Sequence, residues 1–443
     1  MELRKIIERG LELGLEAVEI YANTSESNTL KLDDSKLETY NIKKIFGASI
    51  RGLLDGKMCY VYTESLEDEV IEDLLKQLVT NIKIINSTEK EFMYEGGHEY
   101  QDVPALVSNY NEVATSSKVN LLKDLEKNIL AKDERIKKVG YCQYTETSND
   151  VQILNSKGLN LKRSYSYIST FAGAVATEND QTAIGISGDV QVDFSKFEKE
   201  RIVEEATSDA LSQLGAGFVK TGAYPVVLKR DVATQLLSAF SSVFMGESAL
   251  RKMTILADKK GEKIFGENIT IMDDPFYKDA LINIPFDDEG VPCKTKAVVE
   301  NGVFNGLLHS LKTANFYNEE PTGNGFKAGT AGAVATRPTN MFIKQGNLSK
   351  DEIIATVEDG IYITEVNGLH AGLNPISGDF NVQSSGFLIK NGKLDAPITL
   401  FVTSGNFFEM MNNVEEVGND IEKRFTGVAS PTLKIKSLAI SGK

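Results

Sequence analysis

The stretch Asn374-Pro375-Ile376-Ser377-Gly378-Asp379-Phe380, continued by Ser385-Gly386-Phe387-Leu388-Ile389-Lys390-Asn391-Gly392, decides how this chain is read. It opens with turn chemistry. Asn-Pro and Ser-Gly-Asp favour tight, irregular backbone through preset or positive φ and through local side-chain hydrogen bonds. It ends on Asn391-Gly392, flanked by 387–390 and 393–398. Both central residues of a type I′ hairpin need positive φ, which Asn and Gly supply. Asn301-Gly302 repeats that signal between 296–300 and 303–308. The loop 368–380 holds Gly368, His370, Gly372 and Gly378. Composition alone leaves it as either an irregular turn or the wall of a site.

Working outward, 215–225 is rich in glycine and marks a boundary. After it, 225–228 reads as a short strand and 231–244 as an apolar helix with Asp231 as N-cap. Before it, apolar residues at helical spacing predict helices over 2–14, 66–84, 116–131 and 198–214. Residues 28–42, 44–53 and 57–63 read as strands. Residues 138–194 read as several more, with turns near Asn149-Asp150 and Lys157-Gly158. A faint repeat sets Ser27-Asn28 and Ser35-Lys36-Leu37 against Ser148-Asn149 and Ser156-Lys157-Gly158-Leu159. It reads equally as two related halves or as chance between polar strand pairs. The expected fold class is α+β: an N-terminal helix and antiparallel-sheet region, then a β-rich C-terminal domain. The expected segments are a subdomain over 1–85, a linker over 86–115, a second subdomain over 116–220 and the C-terminal domain over 221–443.

The 443 residues carry 48 Lys plus Arg against 63 Asp plus Glu, a formal net charge of −15. Such a surface repels phosphate backbones and anionic lipid. No basic patch offsets it, so no direct nucleic-acid or membrane partner is expected. The three cysteines, Cys59, Cys142 and Cys293, are scattered and fit a reducing cytoplasm. The charged N-terminus lacks the apolar run of a secretory signal. No apolar run approaches the roughly 20 residues that cross a bilayer.

Only His98, His309 and His370 are present. A common zinc-peptidase helix needs two histidines one turn apart and a Glu beside them. His98-Glu99 has no second His after it and reads as surface. A Ser-His-Asp triad would have to use His309 or His370, and no G-x-S-x-G elbow marks a nucleophile. Gly323-Asn324-Gly325-Phe326-Lys327-Ala328 has the loose G-x-G-x-x-A form without the strand and helix that dinucleotide binding requires. With Gly329 and Gly332 it reads as a surface loop or a place of close backbone approach. Asp273-Asp274 and Asp287-Asp288-Glu289-Gly290 lack EF-hand spacing and read as solvated turns.

The opening stretch resembles the signature of the TldD/PmbA family. So do Gly405-Asn406-Phe407-Phe408, Val417-Gly418-Asn419-Asp420, Pro431-Thr432-Leu433-Lys434 and Arg337-Pro338-Thr339-Asn340. The resemblance is strong over 223–443 and weaker but collinear over 1–220. It implies two arms. The TldD arm carries an HExxxH zinc helix and a later cysteine ligand. The PmbA (TldE) arm lacks both and pairs with TldD. Leu236-Leu237 marks where the zinc helix falls, which puts Ser238, Ala239 and Val243 at the His, Glu and His positions. The loop due to carry the cysteine, 421–430, has none.

The resemblance therefore implies a PmbA/TldE-like subunit of a cytoplasmic metallopeptidase complex, with no catalytic residue, metal or cofactor of its own. Zinc is expected only in a TldD-type partner, and the substrate is a peptide or unfolded protein. Gly323, Asn324, Gly325, Arg337, Asn340, His370, Asn374 and Asp379 are the candidate chamber-wall residues. The alternative is a non-catalytic self-dimer that binds or regulates, in a gyrase or toxin–antitoxin pathway. A third reading is an autonomous hydrolase built on His309 or His370.

Overall fold

The computed structural model describes residues 1–86 and 90–443. Residues 87–89 of the expected linker lie outside the described residues. The N-terminal half runs α1 (Leu3–Glu12), β1 (Ala17–Asp33), β2 (Lys36–Leu54), β3 (Lys57–Thr63) and α2 (Asp68–Ile84). The same order of helix, three strands and helix then recurs: α3 (Thr115–Leu130), β4 (Ile136–Asn155), β5 (Asn160–Glu178), β6 (Gln181–Gln191) and α4 (Lys199–Ser212). All six strands form one antiparallel sheet in the order β3-β2-β1-β4-β5-β6. The two units thus meet through their first strands, from Glu19 opposite Asn155 to Lys31 opposite Gln143. The faint sequence repeat falls on equivalent places. Ser27 and Ser148 lie on those first strands, and Ser35 and Ser156 stand in the turns that follow.

The helices cover one face. In α2, Ile71, Leu75, Leu78 and Ile82 recur at helical spacing and pack on Val18, Ile20, Ala48 and Ile50. In α4, Ile202, Ala206 and Ala210 pack with Ala172, Ala174 and Ala176 of β5. Each fully buried Leu or Ile contributes about 1.5–3 kcal/mol over its exposed state. Close approach of α4 requires Gly185 of β6, where a Cβ would stand 2.2 Å from the Ala206 carbonyl oxygen. The turn expected at Asn149-Asp150 is absent. Asn149 sits inside β4, paired with Ser25 on one side and Tyr165 on the other. A ladder on both sides overrides the local turn preference of Asn and Asp.

Between the units, 90–114 is irregular but not free of the core. Met93, Tyr94 and Ser108 are buried. Tyr94 packs with Tyr21, Ile153, Phe286 and Leu311, which joins the sheet to the C-terminal half.

The C-terminal half contains β7 (Gly222–Leu228), α5 (Arg230–Phe240), α6 (Gly246–Leu250), β8 (Ile271–Asp273), β9 (Lys296–Glu300) and β10 (Val303–Phe304). Then come α7 (Leu311–Tyr317), β11 (Gly325–Lys327), β12 (Val334–Thr336), β13 (Asn340–Ile343), α8 (Lys350–Ala355), β14 (Asp359–Asn367) and β15 (Asp379–Lys390). The chain closes with β16 (Lys393–Asn406), α9 (Phe407–Asn412), β17 (Val414–Val417), β18 (Gly427–Ala429) and β19 (Leu433–Ser441). One sheet runs β16-β15-β14-β7-β19-β17, and β16 also pairs β19, so five of its strands close into a barrel. A second sheet runs β10-β9-β8-β13-β18, and β11-β12 forms a separate hairpin.

Asn301-Gly302 and Asn391-Gly392 have φ of 48° and 80°, and 51° and 72°, as the type I′ reading requires. Asp231 is not the N-cap of α5. Lys229 holds that position, and Asp231 stands in the first turn, paired with Lys229 at 3.3 Å. An acid there favours the positive end of the helix without capping it. The helix also ends at Phe240 and continues over Ser241–Phe244 as a tighter 3-10 turn.

Candidate functional site

Helix α5 forms because Val232, Ala233, Leu236, Leu237 and Phe240 make one apolar face, all buried. Phe240 stacks on Phe407 with ring centroids 4.6 Å apart. The segments that the resemblance pairs do meet. The Ser430 N–H donates to the Thr234 hydroxyl at 2.8 Å. The Arg230 guanidinium pairs with Glu422. Ile421 and Phe425 anchor the same loop in a small cluster with Ala280, Phe342 and Ala429.

This surface does not fit zinc. Ser238 is exposed, Ala239 is half-buried, and Val243 lies wholly inside the core. A neutral hydroxyl is a poor ligand, and neither Ala nor Val offers a donor. Among the described residues, no three His, Cys, Asp or Glu side chains converge as a metal site.

The glycine-rich segment at 323–325 is a packing hub. Asn324 is fully buried. Its amide donates to Asp273 at 2.8 Å and to the Arg337 carbonyl at 2.9 Å. Its oxygen accepts from Lys296 at 3.0 Å and from the Thr322 hydroxyl at 2.7 Å. Asp273 also accepts from the Thr339 N–H and hydroxyl, at 2.7 and 2.8 Å. Asn340 donates to the carbonyls of Asp274 and Ile282. Gly323 has φ 71°, and a Cβ there would meet the Pro292 carbonyl at 2.5 Å. Gly325 donates its N–H to Asp287 at 2.8 Å. Of this group only the Arg337 side chain is exposed.

The loop 368–380 is ordered from within. Asn374 accepts from the Ile376 and Ser377 N–H groups, and its own N–H donates to the Asp379 carbonyl. Asp379 accepts from Asn406 at 2.9 Å and from the Ser377 hydroxyl at 2.7 Å, and these bonds, Asn406 first, hold its carboxyl below the usual range. Asn406 caps α9. His370, Asn374 and Asp379 are exposed. The hydrogen bonds around Asn324 and those around Asp379 form separate networks.

Of the acidic residues expected as solvated turns, all but the half-buried Asp274 are buried instead. Asp273, Asp287, Asp288 and Glu289 are each at most 5% exposed. Asp287 accepts from the N–H groups of Glu289, Val291 and Gly325. Burial, then Glu289, raises its pKa well above the carboxylate range. Asp288 pairs with Arg163 of β5 at 2.5 Å. Glu289 pairs with Arg51 of β2 at 3.2 Å, and Arg51 also holds Glu19 of β1 at 2.5 Å. Lys327 enters the same cluster, its ammonium 3.2 Å from the Ser49 hydroxyl and 5.1 Å from the Tyr60 ring centre. Burial, then Arg51, pulls its pKa down to about 8. Asp288 and Glu289 clamp the C-terminal half onto the sheet. Their partners, Arg163 and Arg51, lie far away in sequence, so no local pattern marks them.

His309 is buried, its Nδ1 3.2 Å from the Thr313 hydroxyl. Burial lowers its pKa to about 4. His98 and His370 are exposed.

Three family models match the chain in succession. They are described as PmbA/TldA metallopeptidase domain 1, central domain and C-terminal domain, over residues 18–82, 109–214 and 221–442. A metalloprotease of Methanocaldococcus jannaschii is 27% identical over 428 residues, 94% of this chain and 92% of the relative. Metalloprotease PmbA of Escherichia coli O157:H7 is 26% identical over 304 residues, 69% of this chain and 60% of the relative. A crystal structure described as a modulator of a DNA gyrase, from Thermotoga maritima, has a TM-score of 0.91 at 29% identity and 99% coverage of each chain. TldE from Thermococcus kodakarensis has a TM-score of 0.89 at 24% identity, covering 99% of this chain and 100% of its own, a likeness of fold alone.

Proposed function

Because the chain belongs to the PmbA/TldD metallopeptidase family, we propose that it is the TldE-like, non-zinc subunit of a cytoplasmic peptidase complex. The observation that carries this reading is the α5 surface. Helix and loop meet there through Thr234 and Ser430, yet Ser238, Ala239 and Val243 supply no ligand set and 421–430 holds no cysteine. The cleavage chemistry belongs to a TldD-type partner that carries the HExxxH helix. This chain supplies part of the chamber wall and contacts to a peptide or unfolded substrate. Arg337, His370, Asn374 and Asp379 are the exposed chamber candidates. Gly323, Asn324, Gly325 and Asn340 set the shape of the wall from behind.

Three free cysteines and the lack, among the described residues, of a helix long and apolar enough to cross a membrane are compatible with the cytoplasm. The net charge of −15 weighs against direct contact with DNA.

The test is peptide cleavage by this chain, by an HExxxH-bearing relative, and by the mixture. The mixture is expected to exceed the relative alone, with no cleavage by this chain alone. Cleavage unchanged by adding this chain, together with a stable self-dimer in native extract, would favour the regulatory self-dimer instead. Chelator-resistant cleavage lost in His309→Ala or His370→Ala would favour the autonomous hydrolase.

A further inference from the structure

A cavity of about 380 Å3 opens between two segments of the C-terminal half, 296–298 and 304–309. The Asn305 N–H donates to the Val298 carbonyl at 2.9 Å. Beyond that bond the segments part, and among the described residues no backbone hydrogen bond links 296–297 to 306–308. Val298, Phe304, Leu307 and Tyr317 line the gap. The cations around it already have partners. Lys260 pairs with Glu319 at 2.6 Å, and Lys296 with Asp273 at 3.1 Å. His309 differs. It lines the cavity and is only 4% exposed. Its Nδ1 edge is packed inward, 3.2 Å from the Thr313 hydroxyl, and a Cβ at Gly246 would stand 2.7 Å from it. That turns the opposite edge of the ring to the cavity, and Nε2 has no hydrogen-bond partner among the described residues. Burial keeps the ring neutral near pH 7. A buried polar atom left unpaired is costly, so the site favours a ligand that pairs it.

We propose that this cavity binds an uncharged aromatic alcohol of one or two rings, its hydroxyl on His309 Nε2 and its ring in the gap between the two segments. A neutral imidazole presents Nε2 as donor or acceptor according to its tautomer, and a hydroxyl can answer either. The rings of His309 and Tyr317 lie 5.8 Å apart at 48°, with Phe304 also in the wall. Such tilted faces suit a third ring, because aromatic pairs favour edge-on or offset contact. A charged ligand would lose water without gaining a free counter-charge, since both lysines are already paired. The volume lies at the low end of small-ligand pockets, which run about 300–1,000 Å3. That suits one or two rings and not a chain segment. The site stands apart from the peptide-handling reading above and does not depend on it.

The experiment is equilibrium dialysis of 2-naphthol against the full chain. Parallel arms use naphthalene, which lacks the hydroxyl, and 2-naphthoate, which carries a charge. Saturable binding of one 2-naphthol per chain is expected. Naphthalene is expected to bind about three- to tenfold more weakly, the effect of one hydrogen bond, and 2-naphthoate at least about tenfold more weakly. His309→Phe keeps a ring and removes Nε2, so it is expected to bind the two uncharged compounds about equally. Ala257→Leu places bulk at the cavity lining and is expected to weaken 2-naphthol at least about tenfold. Ala257 is only half-buried, so this variant remains a test if His309→Phe fails to fold, and a thermal melt checks both. Absence of saturable binding, equal binding of naphthalene or 2-naphthoate by the parent, or unchanged binding by folded Ala257→Leu would each overturn the site.

Discussion

The Thr234 hydroxyl accepts the Ser430 N–H at 2.8 Å, and Ser430 is wholly buried. Together with the Arg230–Glu422 pair, this contact docks the loop 421–430 onto α5. Thr234→Val keeps the shape and removes the acceptor. An orphaned buried N–H costs about 1–3 kcal/mol. Urea unfolding is expected to show a loss of that size, with Thr234→Ser close to the parent. An unchanged midpoint in Thr234→Val would show that the loop is held by other means.

Asp273 gathers donors from Asn324, Thr339 and Lys296. Asp273→Asn turns one acceptor oxygen into a donor that faces donors, and strips Lys296 of its counter-charge. Destabilisation of about 2–4 kcal/mol is expected. If the site were a solvated turn, as its sequence suggests, the change would stay within about 0.5 kcal/mol.

Arg51 stands between two buried carboxylates, Glu19 and Glu289. Arg51→Leu removes the only cation that hydrogen-bonds to either of them among the described residues. Removing one side of a buried ion pair costs about 3–5 kcal/mol. Because Glu19 lies on the N-terminal sheet and Glu289 in the C-terminal half, limited proteolysis is also expected to cut more readily between them. A variant as stable and as protease-resistant as the parent would contradict the clamp.

That clamp also marks where sequence reading stops. The helices α1 to α4 were legible because their apolar residues repeat at helical spacing, and the Asn-Gly hairpins because the turn needs positive φ twice. Local rules failed where distant pairing overrides them. Asn149-Asp150 is a turn pair by preference and a mid-strand pair by register. Asp287-Asp288-Glu289 looks solvated until Arg51 and Arg163 arrive from strands of the other half. The site was legible in one respect only. The resemblance named α5 and 421–430 as partners, and they do touch. It gave no hint that Asn324 and Asn340 are buried and structural, because nothing in 323–340 announces Asp273.

His309 provides a pH test. Burial lowers its pKa from 6.5 to about 4. Between those values the unfolded chain binds a proton that the folded chain does not, so stability falls as pH drops through the window. Above pH 6.5 the histidine contributes no pH dependence. His309→Gln lacks the effect. The parent is therefore expected to lose up to about 3 kcal/mol relative to the variant between pH 6.5 and 4. A constant difference across that range would mean that His309 is solvated.

Helix α5 and its docked loop are expected to hold no zinc. The direct measurement is metal content by mass spectrometry, after the purified chain is equilibrated with zinc and passed through a desalting column. Substoichiometric zinc, unchanged in a Ser238→Ala variant, is expected. One tightly held zinc per chain, lost in that variant, would contradict it.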